Sequence, residues 1–220
     1  MSFVHALLRG KALISHNHNP LLTLCVDRPT EAQCRDAMLR LDRIDARATF
    51  FLDPESLPPA DVIHALDMAG HEIGCFVGQA QGADAIARAK ALLERGSDGL
   101  MVQSVAFAGD ALRGGFRRAL VDQFTLIRLS GGALQGRVVD AQALRALAAD
   151  DARLDALLVR YLKPKRWLIL SLAGDDAALE RQWARAIDLA SRMRAAGGVL
   201  LSLRNAAGLA SHIIPPDAAG

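Results

Sequence analysis

The amino-acid sequence predicts an α/β protein built on a closed or nearly closed barrel of parallel strands. Short apolar, β-branched runs alternate with longer helical patterns along the whole chain. Most of those runs are continuously apolar rather than alternating, which suits strands buried on both faces of a parallel sheet. About seven strand-then-helix steps favour a barrel, with a doubly wound open sheet as the alternative arrangement.

The strand-like runs are Ala12–Ser15, Leu21–Val26, Ala48–Leu52, Glu72–Val77, Val102–Phe107, Phe124–Leu129, Trp167–Leu172 and Val199–Leu203. Between them, Pro29 followed by Thr30 and Gln33 reads as a capping box that starts a helix running to about Ile44. Further helices are expected at Ala60–Ala69, Ala83–Arg95, Leu112–Val121, Ala141–Tyr161 and Asp176–Ala196, each carrying an apolar stripe at spacings of three and four. The pairs Gly114-Gly115, Gly131-Gly132 and Gly197-Gly198 read as turns, and no GxGxxG, P-loop or GxSxG pattern is present.

Composition narrows the function classes. The 220 residues, 51% of them hydrophobic, suffice for one domain over 1–220, with a loose tail expected at 211–220. Basic and acidic residues nearly balance at a net charge of +2, and groups such as Arg117-Arg118 and Lys163-Pro164-Lys165-Arg166 are too short for a nucleic-acid surface. No apolar run reaches the length of a membrane span, so neither nucleic acid nor membrane is an expected partner. The first residues carry no leader pattern, and three cysteines without a CxxC suit reduced, buried thiols; the expected location is the cytoplasm. One Tyr and two Trp are few for a long sugar-binding cleft built on stacking.

Three consecutive segments carry a resemblance. Leu22-Thr23-Leu24-Cys25-Val26-Asp27-Arg28-Pro29 is similar to an apolar strand ending in T-F-D-D-G-P. The stretch from Leu39 to Leu52 ends in Ala48-Thr49-Phe50-Phe51, like a helix followed by an A-T-F-F strand, and Gly70-His71-Glu72-Ile73-Gly74 is like G-H-E-I-G. In this order and spacing they resemble the polysaccharide deacetylase family, the chitooligosaccharide deacetylase homology domain. The resemblance implies a distorted (β/α) barrel of about seven parallel strands. It also implies a metal site at the C-terminal strand ends that removes N-acetyl or related groups by hydrolysis.

Most of the residues for that chemistry are absent. The family's general base falls on Val26, which cannot take a proton from a metal-bound water. Its first metal ligand falls on Asp27, and its two histidine ligands fall on Phe76 and Ala80. The Arg-Pro-Pro-Tyr-Gly segment falls near Val105–Gly109 without the Arg or Tyr, and the late Leu-His pair falls near Ser171 without a His. A catalytic zinc needs three protein ligands, so no zinc or other divalent metal is expected as cofactor.

Asp27 and Arg28 are the leading functional candidates. Arg28 stands where the family has Gly, and its guanidinium either neutralises Asp27 and binds a carboxylate or phosphate, or simply pairs with it to hold a loop. Cys25 and Cys75 are weighed as thiol nucleophiles on neighbouring strands against a reading as small buried hydrophobes. His16 and His18 read as a polar turn, His71 as a hydrogen-bonded scaffold residue, and Asp176 as a helix cap. The expected function is therefore a deacetylase-like domain that has lost its hydrolase site and binds a small molecule or a protein, with a homo-oligomer left open. The alternative is a cytosolic enzyme whose refitted pocket acts on a small molecule, for example at a carbon–nitrogen bond; it predicts that Asp27→Ala or Arg28→Ala abolishes turnover with little change in melting temperature.

Overall fold

A computed structural model describes residues 13–14, 19–77, 83–107, 123–124, 126–130, 138–143, 155 and 166–209. Its strands are β1 (Leu13–Ile14), β2 (Leu21–Asp27), β3 (Ala48–Leu52), β4 (Glu72–Val77), β5 (Ser104–Phe107), β6 (Leu126–Ser130), β7 (Val138–Ala143), β8 (Arg166–Leu172) and β9 (Val199–Leu200). The helices among the described residues are α1 (Glu31–Arg43), α2 (Ala60–Met68), α3 (Ala83–Gly96), α4 (Asp176–Ala195) and α5 (Leu203–Leu209).

Strands β2 to β8 follow one another in parallel, and β8 pairs in turn with β2, so these strands form a ring. The ring is distorted at two seams. Strand β2 pairs with β3 only from Leu24 onward, and β9 fills the gap below by pairing with Leu21 and Leu22. Strand β8 pairs with β7 only at Leu170 and Ser171, while β1 lies antiparallel against Arg166 and Trp167.

Continuous apolar runs suit this arrangement because β2, β3, β4 and β5 are buried on both faces. Alternate residues point outward or inward. Leu22, Leu24, Val26, Phe50, Leu52, Cys75 and Val77 face the helical layer, and Leu21, Cys25, Phe51, Phe76, Ala106, Trp167 and Ile169 fill the interior. Helix α1 starts as its sequence predicts: Thr30 Oγ1 accepts from the Gln33 amide at 3.3 Å, and Gln33 Oε1 accepts from the Thr30 amide at 3.0 Å. Asp175, rather than Asp176, caps α4, accepting from the Ala178 amide at 2.8 Å.

The N-terminal end of the barrel is plugged. Helix α5 enters beneath it, with Leu203 and Ala206 packed inside and the Leu203 amide donating to Thr49 Oγ1 at 2.8 Å. The buried Glu72 carboxylate accepts from Thr49 Oγ1 at 2.9 Å, from the Arg204 amide at 2.7 Å and from Ser104 Oγ. Amides that open a helix have no partner within it, and here side chains from the strands supply the acceptors. His71 Nδ1 accepts from the Ala48 amide at 3.3 Å, and burial, helped by Arg47, pulls its pKa down to about 4. His71 and Glu72 are thus both tied to the scaffold by buried hydrogen bonds.

Several elements differ from the sequence expectation. Residues 138–143 form strand β7 where a helix from Ala141 was expected; four polar or small residues among them, Asp140, Ala141, Gln142 and Ala143, hide the strand pattern. The last strand stops at Leu200 rather than Leu203, because the chain turns there into α5. The helix expected at Leu112–Val121 and the tail at 211–220 lie outside the described residues.

Candidate functional site

The C-terminal ends of the parallel strands converge on a mouth opposite the α5 plug. Asp27 ends β2 with an inward side chain that is 8% exposed. Its Oδ2 accepts from Arg128 Nη2 at 2.7 Å. Arg128, from the middle of β6, is fully buried, and its guanidinium carbon lies 4.7 Å from the centre of the Phe51 ring. Burial raises the Asp27 pKa, opposed by the adjacent Arg128 and more weakly by Arg28. Burial works most strongly against the charge on Arg128, but Asp27 and, after it, Cys25 together more than offset that and raise the arginine pKa.

The pair is incompletely satisfied. Asp27 Oδ1 and Arg128 Nε and Nη1 are buried without a hydrogen-bond partner among the described residues. Such orphans are uncommon in folded proteins and mark strain, water or a ligand.

Arg28 follows at the lip. It adopts a left-handed conformation with φ of 49°, the backbone that a Gly in this position would take freely. The turn is fixed by its amide, which donates to the Phe51 carbonyl at 2.8 Å. Its guanidinium does not pair with Asp27; it lies over the Phe76 ring, 4.9 Å from the centroid. The neutralising cation expected at Arg28 is thus supplied by Arg128. Sequence reasoning passed over Arg128, although a lone arginine in an apolar strand run must be paired if it is buried, and was the available signal.

The remaining candidates separate. Phe76 is an interior residue beneath Arg28, and Ser171 is buried on β8 opposite Cys25. Val26 faces outward, into the groove that Ala32, Leu179 and Trp183 line between α1 and α4. Ala80, His16 and His18 lie outside the described residues. Cys25 points inward beside Arg128, but Cys75 points into the helical layer, and β3 separates their strands. They do not flank one pocket. Burial pushes the Cys25 thiol up to about 12 against the pull of Arg128, and likewise raises Cys75 to about 12. A thiol with that pKa supplies almost no thiolate at neutral pH, so neither is an activated nucleophile.

The described residues do not fit a catalytic metal. No three His, Cys, Asp or Glu side chains among them come together, and the one carboxylate at a ligand position holds a guanidinium. What the arrangement offers is a fixed positive group, a half-used carboxylate and an aromatic floor.

Together, the ring, its distortion and its mouth define the polysaccharide deacetylase class of barrel. No protein-family model matches the sequence, and no curated protein matches it. Solved structures do match. A CE4 family pseudoenzyme from Bacillus anthracis superposes with a TM-score of 0.62 at 12% identity over 87% of this chain and 66% of that one. A mutant of that pseudoenzyme with restored enzymatic activity gives 0.61 at 12% identity over 87% and 68%. A peptidoglycan N-acetylglucosamine deacetylase gives 0.65 at 14% identity over 92% of this chain and 95% of that one. At such identities the fold is what is shared, and this chain has the fold of the CE4 polysaccharide deacetylases.

Proposed function

We propose that this chain is a non-hydrolytic relative of the CE4 deacetylases whose barrel mouth binds a small molecule. The observation that carries this reading is the Asp27–Arg128 pair: the only family metal-ligand position that keeps a ligand residue is already neutralised at 2.7 Å by a buried arginine. Val26 at the base position is apolar and turned away, and Phe76 at a histidine position is packed under Arg28. The pseudoenzyme among the structural neighbours is a precedent for such a loss. Three free, buried cysteines suit a reducing compartment, and no helix among the described residues is long and apolar enough to cross a membrane.

The test is a calorimetric titration of zinc into chelator-treated protein, paired with a deacetylase assay on N-acetylglucosamine oligomers. No stoichiometric zinc and no acetate release are expected. One zinc per chain, bound in a manner abolished by Asp27→Asn, would overturn the reading.

A further inference from the structure

The orphaned atoms of the Asp27–Arg128 pair name the chemistry of a ligand. Among the described residues, Arg128 Nε–H and Nη1–H have no oxygen or nitrogen acceptor, only the Cys25 thiol beside them, and Asp27 Oδ1 has no donor; all three atoms are buried at one ion pair. A ligand that satisfies both sides must present an acceptor oxygen to the guanidinium and a donor hydrogen to the carboxylate. An oxygen-only group such as a plain carboxylate leaves Asp27 Oδ1 unmet, and a pure donor leaves Arg128 unmet.

Charge settles the sign of that ligand. Arg28 brings a second guanidinium to the same lip, close enough to act on the Asp27 titration, and no carboxylate among the described residues pairs with it. Among the described residues, the mouth therefore sets two guanidinium groups against one carboxylate. Of the other described acids at the C-terminal strand ends, Asp53 accepts from the Glu55 amide, Asp175 caps α4, and Asp176 accepts from Gln33 Nε2. Arg28 also holds its position at some expense, since a non-Gly residue at φ of 49° is disfavoured. The Phe76 ring beneath it restricts where the planar fork points.

From these observations, and resting on the non-hydrolytic reading above, we infer that the barrel mouth is a binding site for a small oxyanion that carries its own hydroxyl donor. Its oxygens accept from Arg128 and Arg28, and its O–H donates to Asp27 Oδ1. A hydroxycarboxylate and a hydrogen phosphate group both have this chemistry.

The experiment is isothermal titration of the full chain with glycolate, inorganic phosphate and acetate, alongside zinc. Glycolate or phosphate is expected to bind one to one, whichever is tighter naming the source. Acetate, which lacks the donor, is expected to bind about tenfold more weakly, or not at all. Arg28→Ala, at an exposed position, is expected to keep the fold and weaken the preferred anion by at least about tenfold. The double substitution Asp27→Leu with Arg128→Met removes both orphaned partners without leaving a lone charge, and should abolish binding. Absence of saturable binding by glycolate and phosphate overturns the inference, as does acetate binding equally well or indifference to Arg28→Ala. Zinc that binds through Asp27 overturns the non-hydrolytic reading itself, whereas silence from zinc and from both anions overturns only this inference.

Discussion

The Phe51 ring lies directly under the Arg128 guanidinium, 4.7 Å from its carbon. That ring is in turn seated on Gly74 of the neighbouring strand, where an added Cβ would fall 2.6 Å from two ring carbons and 3.2 Å from the Ser104 carbonyl oxygen. The order of the stack is Gly74, Phe51, Arg128, Asp27. A glycine in the middle of β4 thus sets the height at which the buried arginine meets its carboxylate.

Gly74→Ala should therefore destabilise the fold by about 1–3 kcal/mol, the usual cost of overpacking a dense core. Urea unfolding measures it, and Phe51→Leu in the same chain should recover part of the loss by giving the methyl group room. Recovery to no degree would mean that Ser104, not Phe51, limits the space.

Asp27→Ala should cost about 3–5 kcal/mol, because it strands a buried guanidinium. That differs from the little-changed melting temperature that the refitted-enzyme alternative predicts, because the partner of Asp27 is the buried Arg128 rather than its exposed neighbour Arg28. Asp27→Leu with Arg128→Met should restore most of the stability, as replacing a buried pair by apolar groups of similar size often does. A double variant no more stable than Asp27→Ala would contradict this account of the pair.

Arg28→Gly should leave stability nearly unchanged. Relief of the left-handed backbone is worth about 1 kcal/mol, and loss of the contact with Phe76 costs about the same at an exposed site. Arg28→Ala keeps the strain and loses the contact, so it should melt below Arg28→Gly. The opposite order in thermal unfolding would remove the backbone argument.

Acid should weaken the protein through His71. Its pKa is depressed to about 4 in the folded chain, so between about 6.5 and 4 the unfolded state binds the extra proton and stability falls as pH falls. The loss by pH 4 is at most about 3 kcal/mol. His71→Gln should flatten that part of the pH profile, measured as the urea midpoint at pH 7 and pH 5.

The native cysteines should resist alkylation. Cys25, Cys34 and Cys75 are buried with pKa values near 12, so iodoacetamide at pH 8 should label them only after urea unfolds the chain. Prompt native labelling of Cys25, detected by mass spectrometry, would show that the mouth opens to it.

The fold was legible in the sequence where a local pattern decides it. Continuous apolar runs such as Leu21–Val26 and the Thr30–Gln33 capping box specify their elements unaided. Strand β7 was not legible, because Asp140 and Gln142 interrupt its apolar character and only its neighbours β6 and β8 give it a place. At the site, the place of Asp27 at the end of β2 could be read from the sequence, but its partner could not. Arg128 comes from four strands further round the ring, and nothing near Asp27 in sequence points to it.

The pairing of β2 with β8 also governs how the chain is made. When β2 leaves the ribosome its β3 edge can be covered soon afterwards, but the opposite edge must wait until residues 166–172 have been synthesised. At usual rates of translation that interval is on the order of ten seconds. Throughout it, an apolar strand with unpaired backbone groups is open to any other extended chain. The nascent protein is thus most exposed to misassembly just before its barrel closes, and a chain stopped short of Leu172 never leaves that state.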